Sequence, residues 1–141
     1  MTNEARDPLA ELRARGAVQK RALVEDAGGV LTADEVAARL GISRAAVEQR
    51  WRAGRLLAVP GEGGPGYPAC QFEGDTVVPG FADILVWFSR ERPWGALAFL
   101  LTPDDRLGGL APLDALKRRE PALTAMTIRL ARADATAEGF G

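Results

Sequence analysis

The side chains in this chain that could do chemistry are mostly arginines and carboxylates. Histidine is absent from all 141 residues. That removes the commonest general base, the Ser–His and Cys–His pairs, and the most frequent transition-metal ligand. The single cysteine, Cys70, cannot close an internal disulfide and points to a reducing compartment. Asp104 and Asp105 are adjacent carboxylates, but no group near them in sequence would serve as an acid/base partner. With Thr102 and Pro103 before them they read as a helix start: the hydroxyl caps, proline takes the first helical position, and the acids suit the dipole. No catalytic constellation can be assembled. The expectation is a protein without enzymatic activity, cofactor or metal.

One motif imitates a cofactor site. Gly61-Glu62-Gly63-Gly64-Pro65-Gly66 matches G-x-G-x-x-G letter for letter. That pattern holds a pyrophosphate only when its last glycine opens a helix. Here Pro65 and Pro68 flank the exit and no helical periodicity follows, so the dinucleotide reading is rejected.

The remaining chemistry is recognition. Between Ile42 and Leu57 stand Arg44, Arg50, Arg52 and Arg55 against Glu48 alone. Arginine and glutamine on an exposed helix can bond base edges or phosphates. The candidate DNA-binding set is therefore Arg44, Ala45, Glu48, Gln49, Arg52 and Arg55. A second basic run, Lys117-Arg118-Arg119, suits a helix C-terminus and would equally meet an acidic partner or DNA.

Positioning that first set requires a helix-turn-helix over about Leu31 to Leu57. Thr32 and Glu35 have capping-box spacing. Val36, Ala37 and Leu40 share one face of a short helix that Gly41 ends. Ser43 caps a second helix, from Arg44 to Ala53, in which Val47 and Trp51 face the same side. Ala37 permits close crossing and Gly41 tolerates a positive φ. Two short helices joined by a glycine turn give the same pattern without DNA contact.

Around it, Pro8 to Ala27 reads as a helix with an apolar stripe of Leu9, Leu12, Val18, Ala22 and Leu23, a break at Gly16, and a stop at Gly28-Gly29. Leu56 to Val59 and Tyr67 to Phe72 read as two strands of a hairpin with a glycine-rich tip. That hairpin is either a wing or a simple closure of the core. Further on, Phe81 to Arg90, Ala96 to Leu101, Ala111 to Leu116 and a last helix from Pro121 complete a helical second half. In the last helix Leu123, Met126, Thr127, Leu130 and Ala131 fall at helical spacing. Asp134 to Gly141 reads as a flexible tail.

The totals agree with a small globular chain: 47% hydrophobic and 26% charged residues, net charge −1. A chain-wide basic footprint is absent, so any nucleic-acid patch is local. No apolar run approaches a membrane span, and a cytoplasmic location is expected. The fold class is mainly α, divided as residues 1–78, a helix-turn-helix lobe with a wing-like hairpin, and 79–141, a helical lobe with a tail.

From Trp94 to Ala131 the residues resemble a family. Trp94, Phe99-Leu100, Leu107-Gly108-Gly109 and Pro112-Leu113-Asp114-Ala115-Leu116 look like the toxin-binding domain of Xre/MbcA/ParS-type antitoxins. Leu56 to Pro60 and Tyr67 to Phe72 are similar to members with an N-terminal helix-turn-helix. The resemblance spans about residues 30 to 133. It implies a homodimer that neutralises a RES-domain, NAD-consuming toxin and represses its own operator DNA. Carried over by position, Gly108, Gly109, Pro112, Leu113 and Leu116 are structural, and Arg129, Arg132, Glu138 and Phe140 are the expected toxin contacts. Two departures stand out: Ala111 replaces the usual hydroxyl before Pro-Leu-Asp, and the recognition helix is weakly basic. The alternative is a stand-alone winged-helix transcription regulator whose second half only dimerises.

Overall fold

The computed structural model describes residues 7–137. The chain is mainly helical, with seven α-helices among the described residues and two very small antiparallel sheets. Helix α1 runs Pro8–Asp26 without a break at Gly16; Asp7 caps it through the Leu9 N–H. Gly28 and Gly29, at φ +79 and +89, end it, their N–H groups donating to Glu25 and Val24 carbonyls. The expected apolar stripe does not bury: no residue of α1 is buried, and only Gly16, Leu23 and Val24 are half-covered.

Strand β1 (Val30–Leu31) leads into α2 (Ala33–Leu40). Both halves of the capping box form, with the Glu35 N–H donating to Thr32 Oγ1 at 3.1 Å and the Thr32 N–H to Glu35 Oε1 at 2.8 Å. Gly41 takes the left-handed conformation at φ +68, a position that favours glycine. Ser43 then caps α3 (Arg44–Arg52). Val36 of α2 and Val47 of α3 meet Tyr67 and Phe72 in one apolar cluster, and half-buried Trp51 packs against it.

The hairpin is shorter than its sequence suggests and is built differently. Leu56–Val59 contributes a single bridge, Val59 to Gly66. The next residues, β2 (Tyr67–Pro68), pair with β1 in antiparallel register, Val30 opposite Pro68 and Leu31 opposite Tyr67. Ala69–Gln71 is then a 3-10 turn rather than strand. A second hairpin, β3 (Phe72–Glu73) and β4 (Thr76–Val77), was not expected.

The segment Leu56–Ala58 is held by a side chain instead of a strand. Gln71, fully buried, accepts from the Leu57 N–H at 2.9 Å and donates to the carbonyls of Leu57 and Pro68 at 2.9 and 3.0 Å. Its carboxamide substitutes for a peptide unit, satisfying backbone groups that burial would otherwise orphan.

In the second half, α4 (Phe81–Leu85) stops five residues short of the expected Arg90. Helix α5 runs Pro93–Leu101, so it starts three residues before the expected Ala96, with Pro93-Trp94-Gly95 as its first turn. Arg92, before the proline, sits at φ −126, ψ 50, outside the α region that a following proline disfavours. Helices α6 (Pro112–Lys117) and α7 (Pro121–Ala137) finish the chain. Helical structure thus extends past Asp134, with Ala135 buried, where a flexible tail was expected.

The largest apolar cluster joins Phe81, Ile84, Leu97, Leu100, Leu116 and Ala131 to Leu57, Val59 and Val78. A smaller one places Leu107 and Ala115 against Leu130. No helix among the described residues is long and apolar enough to cross a membrane.

Candidate binding surfaces

The helix-turn-helix presents Ala45, Gln49, Arg52 and Arg55 as exposed residues, with Glu48 half-buried. Arg44 is less available than its position suggests. Its guanidinium lies 3.5 Å from the Asp34 carboxylate on α2 and 3.8 Å from Glu48 one turn on. Those two acids neutralise the N-terminal end of α3, where a recognition helix usually meets base edges. Among the described residues Arg52 and Arg55 have no such partner. Arg55 and Arg50 line a cleft of about 300 Å³ together with Asp75 and Asp83. The Tyr67 phenol beneath α3 is pushed up in pKa, by burial first and by the Glu48 carboxylate second. It stays neutral and adds no charge to this face.

The glycine motif forms a loop, not a phosphate cradle. Gly66 exchanges both backbone hydrogen bonds with Val59 at 2.8 Å and passes into β2. The motif's last glycine opens no helix. The loop lies at the edge of an apolar cleft of about 310 Å³ reaching Val24, Val30 and Trp94.

Asp104 is the cap in the acidic pair, and Thr102 is not. Thr102 ends α5, its hydroxyl donating back to the Ala98 carbonyl at 2.6 Å. Asp104 accepts from the Arg106 N–H at 2.8 Å and from the Arg106 guanidinium at 2.9 and 2.6 Å. These bonds hold the Asp104 carboxyl below its ordinary pKa. Arg106 also reaches Asp134 of α7 at 3.6 Å. Sequence spacing hid this partner because the aspartate and arginine are only two residues apart and Asp134 arrives from another helix. Gly108 and Gly109, at φ +68 and +88, close the loop, the Gly109 N–H donating to Asp104 and the Asp104 N–H to Leu110. Pro112, Leu113 and Leu116 of α6 are buried. The missing hydroxyl cap is real: Ala111 precedes α6 with no side-chain cap bond.

Arg129 and Arg132 are exposed on α7. Arg132 lies 5.2 Å from the Trp87 ring, a cation–π contact that ties α7 to the segment after α4. Beside it Val86 is 70% exposed, the most exposed large apolar side chain described. Sequence reasoning missed Val86 and Trp87 as surface residues because a helix running to Arg90 would have placed Trp87 beside the buried stripe. Glu138 and Phe140 lie outside the described residues. Of the basic run, Lys117 and Arg118 are exposed, while Arg119 bonds Glu73 of β3 at 2.9 Å from a left-handed backbone, φ 57.

Cys70 is half-buried, and burial pushes its thiol up to about 11, so it is protonated and unreactive at neutral pH. No cluster of three or more metal-ligating side chains occurs among the described residues. The chain matches no protein-family model, and neither the curated proteins nor the solved structures include one that matches it.

Proposed function

We propose that the protein is the antitoxin of a type II toxin–antitoxin pair and that it neutralises a RES-domain, NAD-consuming toxin by direct binding. It acts by occupying the toxin, without chemistry of its own. The observation that supports this reading is the arrangement of the Leu107–Leu116 segment. Its closed loop and α6 buttress α7 from within through Leu107, Ala115 and Leu130. This leaves Arg129 and Arg132 outward, beside exposed Trp87 and Val86. Tryptophan and arginine are the residue types most enriched where binding energy concentrates.

The test is growth rescue on co-expression with a RES-domain toxin. Removing residues 121–141 is not a usable variant, because Thr127, Leu130, Ala131 and Ala135 of α7 are buried. The charge reversals Arg129→Glu and Arg132→Glu touch only exposed groups. Together they are expected to abolish rescue and complex formation while lowering stability by no more than the lost Arg132–Trp87 contact, about 0.5 to 1 kcal/mol. Full rescue by the double variant overturns the proposed surface.

A second reading is a DNA-binding regulator, with autorepression as the version compatible with the first. It is favoured by a strand before α2 that joins the return strand after α3, with Val59 bridging next to it. That is the strand arrangement of a winged helix. It predicts salt-sensitive duplex binding carried by Arg52 and Arg55, with Arg44 contributing less because Asp34 and Glu48 engage it.

A further inference from the structure

The cleft of about 300 Å³ where α2 and α3 meet β4 and α4 carries charges that the fold itself does not use. Two guanidiniums line it, Arg50 in the last turn of α3 and Arg55 just past that helix. Two carboxylates join them, Asp75 from the β3–β4 turn and Asp83 from α4. None of the four makes an ion pair or a side-chain hydrogen bond among the described residues. Arg50 is the informative one. It is half-buried, its guanidinium cannot shed its charge, and polar groups withdrawn from water ordinarily find partners. Neighbouring charges do not supply one. Arg39 donates to the Gly74 carbonyl at 2.6 Å, and Glu73 is taken by Arg119 at 2.9 Å.

The same lining selects a class of ligand. A simple anion such as phosphate would gain from Arg50 and Arg55 and lose to Asp75 and Asp83, and a simple cation would meet the converse. One molecule carrying both charges satisfies both sets. The rest of the lining includes Leu40, Leu56, Val77 and Phe81, apolar side chains that suit a hydrocarbon group. The volume stands at the lower end of the range for small-molecule sites, so the ligand is small.

We propose that the cleft binds a free α-amino acid with an apolar side chain. Arg50 and Arg55 take its carboxylate, and Asp75 and Asp83 take its ammonium, through charge-assisted hydrogen bonds. The site shares Arg55 with the regulator reading and no residue with the toxin surface, and it requires neither partner.

The test is an amide NMR titration of the full chain with leucine and phenylalanine, and with N-acetyl-leucine, leucine amide and inorganic phosphate beside them. N-acetyl-leucine and leucine amide keep the side chain and lose one charge each. Saturable binding of leucine or phenylalanine is expected below about 10 mM, with shifts centred on the amides of Val77 and Asp83. Both single-charge derivatives should bind roughly tenfold more weakly. Asp75→Asn/Asp83→Asn alters only exposed groups and should abolish the preference for leucine over N-acetyl-leucine. Arg50→Gln should abolish the preference over leucine amide. The unliganded spectra show whether each variant keeps its fold, and the aspartate pair alone suffices if Arg50→Gln does not. No saturable binding of either amino acid overturns the proposal. So do phosphate or N-acetyl-leucine binding as tightly as leucine, shifts centred elsewhere, or an unchanged leucine preference in the aspartate variant.

Discussion

Single side chains do the work of missing secondary structure in this protein. Gln71 is the clearest case, because its carboxamide takes the place of a strand against Leu57. Gln71→Leu keeps the volume but leaves one N–H and two carbonyls unsatisfied in a buried site. The expected loss is about 3 kcal/mol, with each orphaned group costing on the order of 1 kcal/mol or more. Urea unfolding checks it, and a loss under about 1 kcal/mol would show that water reaches Leu57. Arg106 acts at the same scale on the surface, clamping Asp104 and reaching α7.

Between elements, close approach matters more than strand length. The β1–β2 pair has two residues on each side, and Gly66 lets it form. A Cβ at Gly66 would sit 2.9 Å from Val30 Cβ and Cγ2, inside van der Waals contact. Gly66→Ala is therefore expected to cost about 1 to 3 kcal/mol. Adding Val30→Gly, which removes both of those atoms at a position already 43% exposed, should relieve the overlap. Thermal unfolding of the two singles and the double gives the coupling directly. If the double is additive, the overlap with Val30 is not the cause.

At the scale of the whole molecule, the core crosses the chain midpoint. Leu57 and Val59 lie in one cluster with Phe81, Leu97 and Leu116, and Arg119 reaches back to Glu73. The two halves are expected to unfold in a single transition. Leu57→Ala should lower stability by about 2 to 5 kcal/mol and shift the melting of Trp51 and of Trp94 fluorescence equally. Separate transitions for single-tryptophan variants retaining Trp51 or Trp94 would show two independent lobes.

What the sequence determined by itself was local. The capping box at Thr32 and Glu35, the left-handed turn at Gly41, the Ser43 cap and the Gly108-Gly109 turn follow from groups within a few residues of one another. So does the rejection of the glycine motif, since Pro65 and Pro68 bar the helix it needs. Tertiary structure decided whatever depends on groups distant in the chain. It paired β2 with β1, brought Asp134 to Arg106, and neutralised Arg44 with Asp34. The adjacent carboxylates thus resolved into one clamped cap, Asp104, and one exposed neighbour, Asp105. Among the arginines of α3 and its exit, Arg44 meets two acids, and Arg52 and Arg55 meet none among the described residues. A residue's type and spacing set the chemistry open to it. Which charge it meets depends on elements converging from both halves of the chain, and no local pattern encodes that.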